Sequence, residues 1–270
     1  MGVNDITLTG GMRQNLANLQ LVSALQARTT QRLATGLKVN SAVDDPSAFF
    51  AAQDHRSRAN DLAARKDGMG EAIQTAKAAD NGIKAITALI EQAKGLAAAA
   101  RSAGTTDAAS LATQYDGLRT QIDQLATDSG YKGKNLLGSD TLTVQFNEDG
   151  SSSLDIAGFD GSSSGLGITA AAGSWATSGN IDTAVTSLDA ALTTLRSNAK
   201  TLSANLGVVT ARQEFTNDLV NTLTEGADNL TVADSNAEGA NMLALQTRQQ
   251  LSISAMGLAS QAQQGILRLF

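Results

Sequence analysis

The sequence predicts a mainly α protein: an elongated helical coiled-coil bundle with a small β-hairpin region and with its N- and C-terminal helices paired. Three observations predict it. Long stretches repeat apolar residues at alternating steps of three and four, the spacing of one helix face packed along a near-parallel partner. The 270 residues include one proline, Pro46, so long helices need not be interrupted. Aromatics make up 3% of the chain and much of the apolar content is alanine, which fits a thin core between closely packed helices.

Taken in order, residues 1–11 carry no repeat, and a helix is predicted to start near Met12. From Gln14 to Ala27 it has no charge, and Leu16, Leu19, Leu21, Val22 and Leu25 spread around it instead of forming one stripe. Gly36 is the predicted stop. Asp45 followed by Pro46 has the chemistry of an N-cap and first-turn pair. A short helix over roughly 46–66 is expected, interrupted or kinked by Asp67-Gly68-Met69-Gly70. Then comes an unbroken seam: Met69, Ala72, Ala76, Ala79, Ile83, Ile86, Ile90, Ala93, Ala97 and Ala100. Gly82 and Gly95 each cost about 1 kcal/mol in helix propensity, which close packing is expected to offset. After Gly104 a second seam runs Leu111, Tyr115, Leu118, Ile122, Leu125 and closes at Asp128-Ser129-Gly130.

The period changes to two over 140–146 and 154–159, around the turn Asn147-Glu148-Asp149-Gly150, which predicts a β-hairpin. Residues 161–179, rich in Gly and Ser and containing the only tryptophan, Trp175, are expected to be exposed. From Asn180 the heptads return through Ile181, Val185, Leu188, Leu192, Leu195, Ala199, Leu202, Leu206 and Val209. Gln213 and Thr216 interrupt, and Val220, Leu223, Ala227 and Leu230 continue. A helix of some fifty residues follows, about 75 Å long.

The C-terminal stretch has two seams, one through Met242, Leu245, Met256, Ala259, Ile266 and Phe270, the other through Leu251, Ala255, Leu258, Ala262 and Leu269. Gln249 and Ser252 leave a gap in the first, and Arg268 is the only charge after Gln249. A helix facing water usually carries charge on its outer face. Neither terminal helix does so here, so the two are expected to pair and the pair to be buried again in an assembly. A pair inside a monomeric bundle is the alternative.

Charged residues are 17% of the chain, against about 25% in an average domain. Net charge is −6 with no Lys/Arg cluster, so the electrostatic footprint of a nucleic-acid binder is missing. There is no cysteine, which excludes disulfides and thiolate metal sites. No run of ~18 apolar residues marks a transmembrane helix, and residues 1–12 do not read as a secretory leader. Candidate chemistry is sparse. His55 lies beside Asp54 and Arg56 without a nucleophile, and a structural role is expected. Gly161–Gly167 lacks the Gly-Lys-Ser/Thr ending of a phosphate loop. Asp44, Asp45 and Asp54 could meet a cation, but capping and ion pairs are the favoured reading. No catalytic, metal or cofactor residue is assigned, and no enzymatic activity is expected.

Leu33-Ala34-Thr35-Gly36-Leu37-Lys38-Val39-Asn40-Ser41-Ala42-Val43-Asp44-Asp45 resembles the N-terminal signature of bacterial flagellin. Tyr131-Lys132-Gly133-Lys134-Asn135-Leu136-Leu137 resembles the segment after the family's second helix. Asp234–Glu238, Leu243–Gln246 and Gln249–Leu251 resemble its C-terminal signature. The resemblance implies a short flagellin of alphaproteobacterial type, lacking large outer domains: an exported subunit that polymerises into the filament used for swimming. It implies an inner coiled-coil layer from residues 1–43 with 232–270. The outer domain would be residues 44–231, helix-rich, with the hairpin and an exposed loop at 138–180. The partners implied are identical or paralogous flagellin subunits, hook-associated and cap proteins, and an export chaperone, with no nucleic acid and no membrane. Export through the flagellum's own type III apparatus would need no secretory leader. A hook–filament junction protein, with similar termini, is the alternative. The expected assembly interface is Leu16, Leu19, Val22, Leu25, Leu33, Leu245, Leu251, Met256, Leu258, Ile266, Leu269 and Phe270, with Asn40, Ser41, Asp44 and Asp45 as motif residues. The opening Met1-Gly2-Val3-Asn4-Asp5-Ile6-Thr7 departs from the family's usual Ile-Asn-Thr-Asn start.

Overall fold

A computed structural model describes residues 10–267. Its helices are α1 (Gly10–Thr35), α2 (Pro46–Ser102), α3 (Thr105–Asp128), α4 (Ser178–Thr231) and α5 (Ser235–Leu267). Between α3 and α4 lies an antiparallel hairpin of β1 (Thr141–Gln145) and β2 (Ser153–Ala157). The chain divides into two compact units: one runs to Ser57 and resumes at Leu223, the other is Arg58–Thr222.

The unit Arg58–Thr222 holds the main core. All ten seam residues from Met69 to Ala100 are buried. The interruption expected at Asp67–Gly70 does not occur, and α2 is one helix of 57 residues. Met69 is fully buried and Gln213 Nε2 donates to the Lys66 carbonyl at 3.3 Å, so tertiary contact holds the backbone where propensity alone would release it. Gly82 is where close approach matters: a Cβ there would run into the Ser129 side chain. Gly95 meets nothing within 4 Å, so the close packing expected of it is absent.

On α3 the buried line is Ala108, Ala112, Tyr115, Ile122 and Ala126, while Leu111, Leu118 and Leu125 are half-buried beside it. The segment after α3 is a C-terminal cap: Asn135 Nδ2 donates to the carbonyls of Ala126 and Thr127, at 2.8 and 3.0 Å. In the hairpin Leu142 faces Ile156 and Val144 faces Leu154, and Val144 and Ile156 are buried. Residues 161–179 are less exposed than their composition implies. Ser163, Leu166, Ile168 and Trp175 are buried, and α3 holds the segment through Asp123, Tyr115 and Arg119, whose side chains bond Ser163, Thr169 and Ile168. Gly173, Ser174 and Trp175 all take left-handed φ of 52–56°. That costs energy at the two non-glycine positions; it delivers the indole against Tyr115, with ring centroids 4.9 Å apart. Along α4 the interruption expected at Thr216 is a buried position, so the seam runs through it.

Candidate assembly interface

The other unit contains α1, α5 and the adjoining ends of α2 and α4. In α1 the positions away from solvent are Met12, Asn15, Leu19, Val22, Gln26, Thr29 and Arg32, in steps of three and four. One stripe therefore exists, contrary to the spread of the leucines. It is hard to read because four of its seven members are polar. In α5 the corresponding line is Glu238, Met242, Leu245, Gln249, Ser252, Met256 and Ala259. Gln249 and Ser252, which look like a gap, are ordinary members of the seam. These two lines face each other along the helix pair.

The second C-terminal seam is left outside. Leu251 and Leu258 are 65% and 68% exposed, and Ala255 and Ala262 are exposed with them. Leu243 and Ile253 extend the uncovered apolar surface of α5, and Leu21, 59% exposed, adds to it from α1. Of the expected interface residues, Leu19, Val22, Leu245 and Met256 lie in the contact within the chain. Leu16, Leu25, Leu33, Leu251 and Leu258 lie outside it. The side chain of Ile266 and residues Leu269 and Phe270 lie outside the described residues.

The motif residues build the junction where α1 and α5 meet. Gly36 ends α1 with φ of +71°, a left-handed conformation that glycine adopts without a Cβ penalty. Leu37 and Val232 form an antiparallel β-bridge, with Lys38 N donating to the Thr231 carbonyl at 2.7 Å and Ala233 N to the Gly36 carbonyl at 2.9 Å. Asp44 Oδ2 accepts from the backbone N–H groups of Asn40 and Ser41, each at 3.1 Å, and from Ser41 Oγ. The bond from Asn40, more than any other contact, holds the Asp44 carboxyl below its ordinary value. Asp45 Oδ1 accepts from Ala48 N at 3.0 Å and caps α2, as the Asp-Pro pair predicts.

The sequence reading missed the charges that close this junction. Arg32 Nη1 pairs with Glu238 Oε1 at 2.8 Å, the side chains being 26% and 10% exposed. Arg56 Nη2 donates to Asp228 Oδ1 and Thr231 Oγ1, at 3.2 and 3.0 Å. The only signal in the sequence is positional: Arg32 and Glu238 sit at seam spacing. An open depression of about 420 Å³ beside them is lined by Arg28, Arg32, Lys38, Asp44, Asp45 and Asn229 among others. Among the described residues no cluster of three or more His, Asp or Glu could hold a metal ion, and no helix is long and apolar enough to cross a membrane.

A family model described as the bacterial flagellin N-terminal helical region matches residues 7–141, and one described as the bacterial flagellin C-terminal helical region matches 178–270. Flagellin FljM of Caulobacter vibrioides is 30% identical over 100% of both chains. A flagellin of Brucella melitensis is 26% identical over 96% of this chain and 99% of its own. The crystal structure of Bacillus cereus flagellin aligns with a TM-score of 0.49 at 18% identity, covering 55% of this chain and 88% of that one. The two helical regions named by the family models contain the paired helices with their uncovered apolar face, and the matched relatives are named as flagellins. The chain belongs to the bacterial flagellin family, as a structural subunit of the extracellular filament that drives swimming.

Proposed function

We propose that polymerisation runs through the outward face of the terminal pair. One observation carries this: the seam through Leu251 and Leu258 is apolar, at helical spacing, and uncovered in the single chain. Burying one such leucine between copies contributes about 1.5–3 kcal/mol. Leu16, Leu25, Leu33 and the residues Ile266, Leu269 and Phe270 belong to the same proposed interface. Residues 1–43 with 232–270 form the inner layer of the tube in this reading, and 44–231 the outer one. Leu258→Asp tests it, because an unpaired charge is costly to bury. The variant is expected to fold as a monomer and to fail to extend filament seeds; filaments of normal length seen by electron microscopy would overturn the reading.

The same uncovered face would need shielding before assembly, which supports an export chaperone as a partner. Hook-associated and cap proteins would meet the face at the two ends of the filament, and the chain would reach the cell exterior through the flagellar export apparatus. The role is structural and not enzymatic. The polar groups around the 420 Å³ depression support this: Asp44 and Asp45 are engaged in backbone caps, Arg32 in an ion pair and Lys38 in a bond to the Asn229 carbonyl.

A further inference from the structure

We propose that the Arg32–Glu238 pair sets the register in which α1 and α5 pair, and so the alignment of the outward leucines along the two helices. The proposal rests on the assembly reading above for its consequence, but not for the pairing itself. Facing heptad seams are degenerate: sliding one helix by seven residues returns similar side chains to similar places. Here the seams are weakly specified. Asn15, Gln26 and Thr29 on α1 and Gln249 and Ser252 on α5 are uncharged polar groups that can donate or accept in more than one register. Charge is what cannot slip. Glu238 is the only carboxylate in either helix, and it is buried in the contact. A heptad slip would set Leu25 in the place of Arg32 and part the buried acid from the cation it now pairs with.

The flanking geometry points the same way. Glu238 lies in the first turn of α5 and Arg32 in the last turn of α1, where each charge is also favoured by its own helix dipole. The β-bridge between Leu37 and Val232 ties the chain one turn away. The backbone bonds of the bridge also resist a slip at that end, and they do so without reading side chains. The ion pair adds the side-chain specificity. Buried polar pairs that select register are the best-attested use of such groups.

The test separates register from stability. The chain has no cysteine, so cysteines introduced at the exposed positions Gln31 and Ser254 carry the only spin labels. A heptad slip moves one label about 10 Å along the other helix. The unassembled full-length chain is expected to give one narrow distance distribution. Replacing both partners by apolar residues, Arg32→Met with Glu238→Leu, is expected to keep the helices paired by circular dichroism while splitting the distribution into two populations about 10 Å apart. Extension of filament seeds should then slow at least tenfold. A single narrow distribution in that double variant would overturn the proposal, as would one in Glu238→Gln. If the distribution splits yet seeds extend at the normal rate, the register role stands and the assembly reading fails.

Discussion

Asp44 accepts three hydrogen bonds with one oxygen, two of them from backbone N–H groups of its own turn. Its pKa is held below the ordinary carboxylate value, so its contribution to the turn is fully present above the unfolded value and is lost as pH falls through the lower folded one. Protection of the Asn40 and Ser41 amides, corrected for the intrinsic pH dependence of exchange, should therefore fall selectively as the pH drops through that lowered value. Asp44→Asn should make exchange fast at neutral pH and remove most of that pH dependence; unchanged exchange in the variant would count against the carboxylate's role. At this scale legibility followed sequence distance. The cap by Asp45 could be read because donor and acceptor are three residues apart. The Arg32–Glu238 pair could not, because its partners are separated by 206 residues and only seam spacing sets either apart from a surface charge.

The helices differ in how openly they announce their faces. The α2 seam was legible in full because it is wholly apolar, and each of its ten residues is buried. On α3 the leucines drew the reading one position aside: small alanines sit innermost at Ala108, Ala112 and Ala126, and the larger leucines flank them. The stripe on α1 is hidden by its polar members, Asn15, Gln26, Thr29 and Arg32, which break the apolar repeat. Two glycines of α2 give opposite predictions. Gly82→Ala should destabilise the monomer by about 1–3 kcal/mol, since its Cβ has no room against Ser129. Gly95→Ala should stabilise it by about 0.5–1 kcal/mol, since the position is open and helical. Urea unfolding of both variants checks the signs; equal shifts would mean that packing at Gly82 relaxes freely.

Among the described residues, the connected core from Met69 to Val209 contains none from α1 or α5. Trp175, the only tryptophan, belongs to that core and should report on it alone. Ile86→Ala, which removes a fully buried side chain, should lower the unfolding midpoint seen by tryptophan emission, by about 2–5 kcal/mol in stability. Leu258→Asp should leave that transition in place. A large shift in the second variant would show coupling that the core does not display. The element order, the hairpin and the paired termini were legible because each has its own period or motif. The anchoring of 161–175 was not, since Leu166, Ile168 and Trp175 fit no period and the glycines around them read as loop. The outward seam of α5 has a last consequence, for concentration. On the proposed interface, a subunit gains from that open seam only when copies meet. Growth then has a threshold concentration, set by the free energy buried per added copy. On the proposed interface, trimming Leu258 to alanine costs about 1.5–3 kcal/mol per contact. That raises the threshold roughly ten- to a hundredfold, turning a side chain's exposure into the amount of protein a cell must supply before a filament can lengthen.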